Sequence, residues 1–332
     1  MKGRHIVIKY CSQLWEHGGI LDSAHGFPVK VERIMGNILF RAAAIPLLVM
    51  SAFSACAEGQ VIGDPKSLEE LVEQALTWYS VYPNSSEKEP LKPKPILNWG
   101  NAIRNSEVKE AVTTVLEYKG RPCVLLGVFP SGGDRINHEF SAVSREPGVF
   151  AQRDKRTVWS PDAKEVMRFK DLPNSKAPHK SARLRGIQMK KLAERFTIGL
   201  SGDIDGKLKD RPLRRLPTPV HRYGAATGDT LDGAIFAFCV HGNDPEAFLF
   251  IEAYRNDDKK PHTWQYAFSK SAGGSLTAIL DKKTTIWKTD RSDPNTMGPT
   301  RADHFIWLPI DHAHLVKKED DSRAKVTQSR SE

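Results

Sequence analysis

The sequence lacks the short motifs that mark the common catalytic and nucleotide-binding folds. It contains no G-x-S-x-G nucleophile elbow, no P-loop, no Rossmann glycine pattern, no H-E-x-x-H pair and no C-x-x-C pair. Nothing in it predicts a cofactor. An enzyme is not excluded, because catalytic groups need to meet in space and not in sequence.

Cysteine is scarce, with only four residues in the chain, at positions 11, 56, 123 and 239. Two of them, Cys123 and Cys239, fall in the region that we expect to fold. A scaffold held together by several disulfides is therefore excluded. The two cysteines could form one disulfide in an oxidising compartment or remain apolar thiols, and the sequence leaves both open.

No apolar run is long enough to span a bilayer comfortably. The uncharged, mostly apolar run at residues 42–53 follows Arg41 and ends in small residues, which predicts a signal peptide over residues 35–57. Met35 would then be the start codon and residues 1–34 a gene-model artefact. The alternative is that the run forms a buried helix in a folded N-terminal region.

Two cleavage sites compete at the end of this segment. Residues 55–57 fit small-x-small cleavage after Ala57, whereas residues 53–56 resemble a lipobox with Cys56 as the lipidated residue. Either site predicts an exported protein in the periplasm or the cell envelope. Contact with a membrane would then be made only by the signal peptide or by a lipid anchor.

The chain is basic, with a formal charge of +9, 27% charged residues and 39% hydrophobic residues. This composition is typical of a globular protein. The positive charge either favours an anionic partner, such as an anionic polysaccharide, an envelope component or nucleic acid, or serves solubility alone. Residues 316–332 are polar without apolar periodicity, which predicts a disordered tail.

A buried β-hairpin at residues 232–253 is the clearest structural signal. Two apolar runs flank the turn residues 242–245, and a similar pattern begins at residue 112. The matching segments, offset by 123–128 residues, are 112–118 with 235–240, 120–122 with 243–245, 124–128 with 248–251, 138–141 with 264–267, and 153–159 with 281–287. We interpret this as an internal duplication. By this reading Trp159 and Trp287 occupy equivalent inward positions.

Two helices should accompany the strands. One begins near Pro65 and places Leu68, Leu71, Val72, Ala75 and Trp78 on one face. The other is predicted from Ser181 to Ile198, with an apolar stripe and a basic opposite side. Its stripe would consist of Leu184, Ile187, Leu192, Ala193 and Phe196.

The predicted fold class is therefore α+β, with two related antiparallel β units and packed amphipathic helices. The first unit and the N-terminal helix occupy residues 64–180, a connecting helix residues 181–200, and the second unit residues 212–315.

Candidate catalytic residues are His138, Glu139 and His221. The dipeptide His138-Glu139 could supply a general base, and His221 follows a rigid Pro-x-Pro segment. Each could equally be a structural residue, held by side-chain hydrogen bonds.

Candidate anion-binding residues are Arg222, Lys190, Lys191 and Arg195. Arg222 could clamp an anion with two parallel hydrogen bonds, and the other three lie on the basic side of the second helix. A solvated helix face is the alternative for these three. No metal site is expected, although His312 and His314 would point the same way from a strand and, with Asp311, could hold zinc.

Several segments between residues 66 and 290 resemble an exported protein family of planctomycete bacteria to which no activity is assigned. They include HEFSAVS, QMKKLAERF, LPTPVHRY, DGAIFAF, GNDPEAFLFIEA and WQYAFSKS. The resemblance implies export and a shared fold, and it implies no active site.

From these observations we expect a non-catalytic envelope protein that binds a ligand or partner through a sheet face. The alternatives are a hydrolase that uses the histidine and glutamate side chains named above, and a binder of anionic polysaccharide or nucleic acid.

Overall fold

The computed structural model describes residues 64–100, 110–204, 207–224, 229–240, 242–257, 259–291 and 298–315, with the backbone alone at 202–204 and 207–209. The predictions for residues 1–57, among them lipidation of Cys56, and for the tail at 316–332 lie outside the described residues.

The described residues form mostly antiparallel β-sheets with few helices, so the molecule is richer in strands than the α+β prediction implied. The helices are α1 (Leu68–Ala75) and α2 (Ala182–Ala193), with a 3₁₀ turn at Ala163–Glu165. The strands of the first half are β1 (Ser80–Tyr82), β2 (Pro93–Trp99), β3 (Ala111–Tyr118), β4 (Arg121–Ser131), β5 (Arg135–Ala142), β6 (Phe150–Arg153), β7 (Arg156–Trp159) and β8 (Lys170–Asp171). Those that follow are β9 (Phe196–Ile204), β10 (Lys207–Pro212), β11 (Arg214–Arg215), β12 (His221–Tyr223), β13 (Thr230–Cys239), β14 (Pro245–Tyr254), β15 (Thr263–Lys270), β16 (Ser275–Leu280), β17 (Thr284–Thr289) and β18 (Asp303–Pro309).

Four sheets account for these strands. The first sheet has the order β18-β5-β4-β3-β2, and the second has the order β11-β13-β14-β15-β8 with β12 also on β13. The third sheet is β10-β9-β16-β17, and a small sheet is β1-β6-β7. Strand β18 joins the first sheet and β8 the second, so each half of the chain lends a strand to the other half's main sheet.

The two main sheets pack face to face. Val115 and Leu125 of the first sheet share a core with Ile235, Phe248 and Phe250 of the second. Because the opposite faces are also covered, the central strands are buried on both sides, which explains their near-continuous apolar runs. The hairpin of β13 and β14 is confirmed as a buried hairpin.

The outer faces of the two main sheets are covered differently. Helix α1 and the small sheet pack on the first sheet through a core that includes Leu71, Phe140 and the fully buried Trp159. Helix α2 and the third sheet pack on the second sheet through Met189, Phe236 and Leu249.

Helix α1 follows its sequence pattern. Leu68, Leu71, Val72 and Ala75 are all buried, and the Ser67 hydroxyl caps the helix by accepting a hydrogen bond from the Glu70 N–H. Residues three and four apart share one face of a helix, so this spacing brings all four side chains onto the first sheet.

The prediction for α2 is wrong in its length and in part of its buried face, although Ala193 of the predicted stripe is buried and Leu192 packs against the core. The helix ends at Ala193, and Phe196 to Ile198 begin β9, because aromatic and β-branched residues favour an extended backbone. Leu184 and Ile187 are exposed, at 41% and 45% of their surface, while Arg185, Met189 and Ala193 face the protein. The helix packs on the face that gives Arg185 a buried carboxylate partner, Asp232.

The two halves contain similar strand successions. A three-strand meander, β3-β4-β5 or β13-β14-β15, is followed by a hairpin that belongs to another sheet, β6-β7 or β16-β17. The turn of each of these two hairpins contains an Asp-Lys pair with positive φ. The φ angles are 50° and 62° for Asp154 and Lys155, and 52° and 58° for Asp281 and Lys282. Such pairs are typical of the tight turns that match strand twist.

Candidate functional site

The sequence-predicted pair His138 and Glu139 is split between opposite faces of β5. His138 is buried under α1, where its Nε2 donates to the Ala75 carbonyl at 3.0 Å, and burial lowers its pKa to about 4. Glu139 points to the other face of the sheet, where the Ser271 hydroxyl donates to its carboxylate at 3.3 Å. Burial raises the pKa of Glu139 to about 7. Neighbouring strand residues cannot act on one substrate atom, so the pair does not form a shared acid–base site.

His221 lies buried in β12 against a carboxylate of the first sheet. Its Nε2 donates to Glu117 Oε1 at 2.9 Å, and this hydrogen bond is the main reason that the pKa of Glu117 is lowered. Glu117 belongs to β3, so the contact joins the two main sheets.

Arg222 does clamp a carboxylate, but the carboxylate belongs to the protein. Its Nε and Nη2 donate to the two oxygens of Asp232 at 2.9 and 2.6 Å. Arg185 of α2 donates to the same carboxylate at 2.8 Å. These contacts fix α2 against β12 and β13, and the predicted anion site at Arg222 is thus filled by Asp232.

One of the three anion-binding candidates on the predicted basic face of α2 is paired with a carboxylate. Arg195 follows the helix and forms two hydrogen bonds with Asp281, at 2.8 and 2.7 Å. Lys190 and Lys191 are exposed on the helix. Of the three anion-binding candidates on this predicted face, Lys190 and Lys191 are therefore the two that stay exposed to solvent.

The histidines near the end of the fold do not share a strand face. Strand β18 ends at Pro309, and beyond it His312 is buried while His314 is exposed. Burial lowers the pKa of His312, whose Nδ1 donates to the Ile310 carbonyl at 3.1 Å. Within the described residues no group of three or more His, Cys, Asp or Glu side chains is placed to hold a metal ion.

Both folded-region cysteines are buried free thiols. Burial raises the pKa of Cys123 to about 11 and that of Cys239 to about 12. A thiol must ionise to act as a nucleophile, so neither residue is suited to that chemistry near neutral pH.

A buried charged cluster centred on Glu252 joins the two main sheets. Oε1 of Glu252 accepts from Arg121 Nη2 and from the Tyr223 hydroxyl, each at 2.7 Å. Oε2 accepts from Arg145 Nη2 at 2.7 Å and from its Nε at 3.2 Å. The guanidinium of Arg145 lies between the rings of Phe169 and Tyr254, 3.8 and 3.9 Å from their centroids.

This cluster has the properties of a buried ion-pair network that stabilises the fold. The Glu252 side chain is fully buried, and both of its oxygens are engaged by donors from the first half of the chain and from β12. A substrate would have to displace these contacts to reach the carboxylate. We therefore assign the cluster to holding the sheets together.

An open cleft of about 670 Å³ lies elsewhere, between the second and third sheets and the end of β5. Its walls are β15, β17, the segment at residues 165–168 and the beginning of β18. On one side the rings of Phe268 and Trp287 stack, with centroids 4.9 Å apart and planes 14° apart.

Positive charge dominates the cleft. Six basic residues line it, namely Arg168, Lys170, Lys270, Lys288, Arg291 and Arg301, against the three acidic residues Glu165, Asp290 and Asp303. The lining thus has three more basic than acidic residues, and one pair among them, Arg301 and Asp303, lies 3.8 Å apart. The cleft is therefore suited to an anionic ligand.

Sequence reasoning missed this cleft. Its basic residues come from four separate segments, at residues 168–170, 270, 288–291 and 301, and no local motif joins them. The one available signal was Trp287, which was predicted to be buried like its counterpart Trp159. Trp287 is only partly buried and lines the cleft, whereas Trp159 is fully buried.

Comparisons with protein-family models, with curated proteins and with solved structures found no match. In the part of the chain that the structure describes, no helix is both long and apolar enough to cross a membrane.

Proposed function

We propose that the protein is an exported, non-catalytic binding module of the cell envelope, and that it holds an anionic ligand in the basic cleft. The observation that carries this proposal is the gathering of six basic side chains around one opening of about 670 Å³. A cleft lined by charge of one sign concentrates ligands of the opposite sign.

The geometry of the cleft supports binding more than catalysis. Among the described residues that line it there is no histidine and no cysteine. The candidate bases His138 and His221 are buried and hydrogen-bonded elsewhere. The hydrolase alternative therefore has no site in which its proposed residues meet.

The internal duplication and the export of the protein are supported by separate observations. Similar strand successions and hairpin tips favour the internal duplication, with divergence at Trp287 opening a ligand site in one copy. The signal-peptide pattern at residues 35–57 and the resemblance to an exported planctomycete family favour export. Intact-mass measurement of natively expressed protein tests export, since a mass that includes Trp15 would contradict it.

Binding to the cleft can be tested with a sulfated polysaccharide such as heparin and a pair of matched variants. The double variant Arg168→Glu/Lys288→Glu should bind heparin at least about tenfold more weakly than the unaltered protein, because it reverses two exposed charges of the cleft. The affinity of the unaltered protein should also fall steeply with salt.

The control is Lys190→Glu/Lys191→Glu, which changes the net charge equally on α2, away from the cleft. It should leave heparin affinity within about threefold of the unaltered value. Equal losses in both double variants would mean that net charge and not the cleft determines binding. Loss in the α2 variant alone would instead favour the helix surface.

A further inference from the structure

Two strand edges that the described strands pair only in part, or not at all, flank the cleft. On β15, the strand β8 pairs only with Gln265 and Tyr266. The Trp264 carbonyl accepts from the Leu172 N–H at 2.8 Å on that side. Because backbone groups alternate sides along a strand, Phe268 also directs its N–H and C=O to this side. No described strand pairs with Phe268 there.

The opposite edge belongs to β17, which is the outermost strand of the third sheet. Lys170 Nζ donates to the Ile286 carbonyl at 3.2 Å, and Lys270 Nζ donates to the Asp290 carbonyl at 2.6 Å. Residue 288 lies two positions before Asp290, beyond the register shift of β17 at residue 286, and therefore has the same backbone orientation as Asp290. Its N–H and C=O therefore face the cleft.

The short strand β8 runs along the edge of β15 and shows the direction in which a further strand would lie between β15 and β17. It is only two residues long, it pairs with β15, and the side chain of its Lys170 reaches across to β17. The chain before Lys170 turns away, since the Met167 N–H donates to the Ser144 carbonyl at 3.0 Å. The cleft thus continues the path that a longer β8 would follow, with the stacked rings of Phe268 and Trp287 between its two edges.

We infer that the cleft receives an acidic peptide segment in extended conformation, which adds as a short strand along the edges of β15 and β17. This inference rests on the proposed function and names the ligand class of the same cleft. Strand addition uses main-chain hydrogen bonds for affinity and side-chain contacts for specificity.

Two observations select a peptide over other anions. First, the groups at Phe268 and Lys288 are backbone donors and acceptors in the alternating arrangement that another polypeptide backbone matches. Second, the exposed side chains of Arg168, Lys288 and Arg291 surround these groups and would pair with acidic side chains. The two bridging lysines occupy the carbonyls on either side, which protects the edges from unselective pairing and limits the added strand to a few residues.

The test uses a nine-residue peptide of alternating Glu and Val with blocked termini. Two further versions carry N-methyl groups at all Glu positions or at all Val positions. A strand directs alternate N–H groups to opposite sides, and a one-residue slip would exchange the Glu and Val faces. One set of N–H groups would face β15 and the other β17, so each methylated peptide should bind at least about tenfold more weakly than the unmethylated one.

Two measurements on the protein locate the contact. Peptide binding should slow amide hydrogen exchange at residues 268 and 288. Lys288→Pro should weaken peptide binding by several-fold more than Lys288→Gln, because both remove the charge and only proline removes the outward N–H. Proline is tolerated at an edge position whose N–H faces outward, and circular dichroism of both variants checks that the fold is retained.

The outcomes separate the two proposals. A methylated peptide that binds as tightly as the unmethylated one, or unchanged amide exchange at residues 268 and 288, would overturn strand addition. If heparin still bound in a cleft-dependent way, the anion-binding function would stand without it. Failure of both heparin and the acidic peptide to bind would reject both.

Discussion

The charged cluster at Glu252 makes the sharpest prediction about stability. Replacement of Glu252 by Gln keeps the shape of the side chain but removes its charge and turns one oxygen into an NH₂ group. Both oxygens accept from donors, Oε1 from Arg121 and Tyr223 and Oε2 from Arg145. In either orientation of the amide, its NH₂ group would face a donor that has lost its acceptor.

The expected loss follows from burial. Glu252 is fully buried, and the side chains of Arg121 and Arg145 are only 15% and 19% exposed. Removing one partner of a buried ion pair leaves uncompensated charge and costs about 3–5 kcal/mol. This is a large part of the total stability of an ordinary domain, about 5–15 kcal/mol.

Urea denaturation monitored by tryptophan fluorescence measures the effect. Glu252→Gln should lower the unfolding midpoint by about 1 M or more, given the usual dependence of unfolding free energy on urea. The control is Asp281→Asn, which breaks the more exposed pair with Arg195 and should cost at most about 1 kcal/mol. If the unfolding free energy of the Glu252→Gln protein lay within about 1 kcal/mol of that of the unaltered protein, the cluster would not be what stabilises the contact between the sheets.

Three further predictions follow from individual side chains. The pKa of Glu139 is raised from 4.5 to about 7, so its contribution to stability is full below pH 4.5 and is lost as the pH rises through about 7. Glu139→Gln should remove this loss and stabilise the protein at pH 8 by about 1–2 kcal/mol. This is less than the full pKa shift implies, because the Glu139 side chain retains some exposure. Urea denaturation at pH 5 and at pH 8 measures the difference in unfolding free energy. The pKa of His138 is lowered from 6.5 to about 4, so its contribution is full above pH 6.5 and is lost as the pH falls through about 4; an NMR titration that finds its imidazole charged at pH 6 would contradict this. Trp159→Ala should cost about 3–5 kcal/mol, whereas Trp287→Ala should cost about 1–2 kcal/mol and weaken ligand binding; equal melting temperatures for the two variants would show that the partial burial of Trp287 has no consequence.

Local signals sufficed for much of the strand structure. The buried hairpin of β13 and β14 and the strands β3 and β4 follow from apolar runs that are separated by turn residues. The N-terminal helix follows from residues spaced three and four apart. In each case the residues that decide the structure lie within a few positions of one another.

The same reasoning failed for α2, where the sequence pattern was compatible with two different buried faces of the helix. In α2, apolar spacing favoured Leu184 and Ile187, yet the helix turns Arg185 inward because Asp232 is there to pair with it. That partner lies 47 residues away in sequence. The free energy of burying a charge depends on its partner, and the partner is not local.

The roles of the charged residues therefore depended on the tertiary structure. Arg222 and Arg195 were anion-binding candidates by residue type, but Asp232 and Asp281 already bind them. The sequence by itself determined the central strands of the two meanders, their hairpin turns and the first helix, because backbone propensity and side-chain periodicity act over short distances. Only the tertiary structure decided which charges pair inside the protein and which remain exposed in the cleft, because electrostatic partners come together from distant parts of the chain.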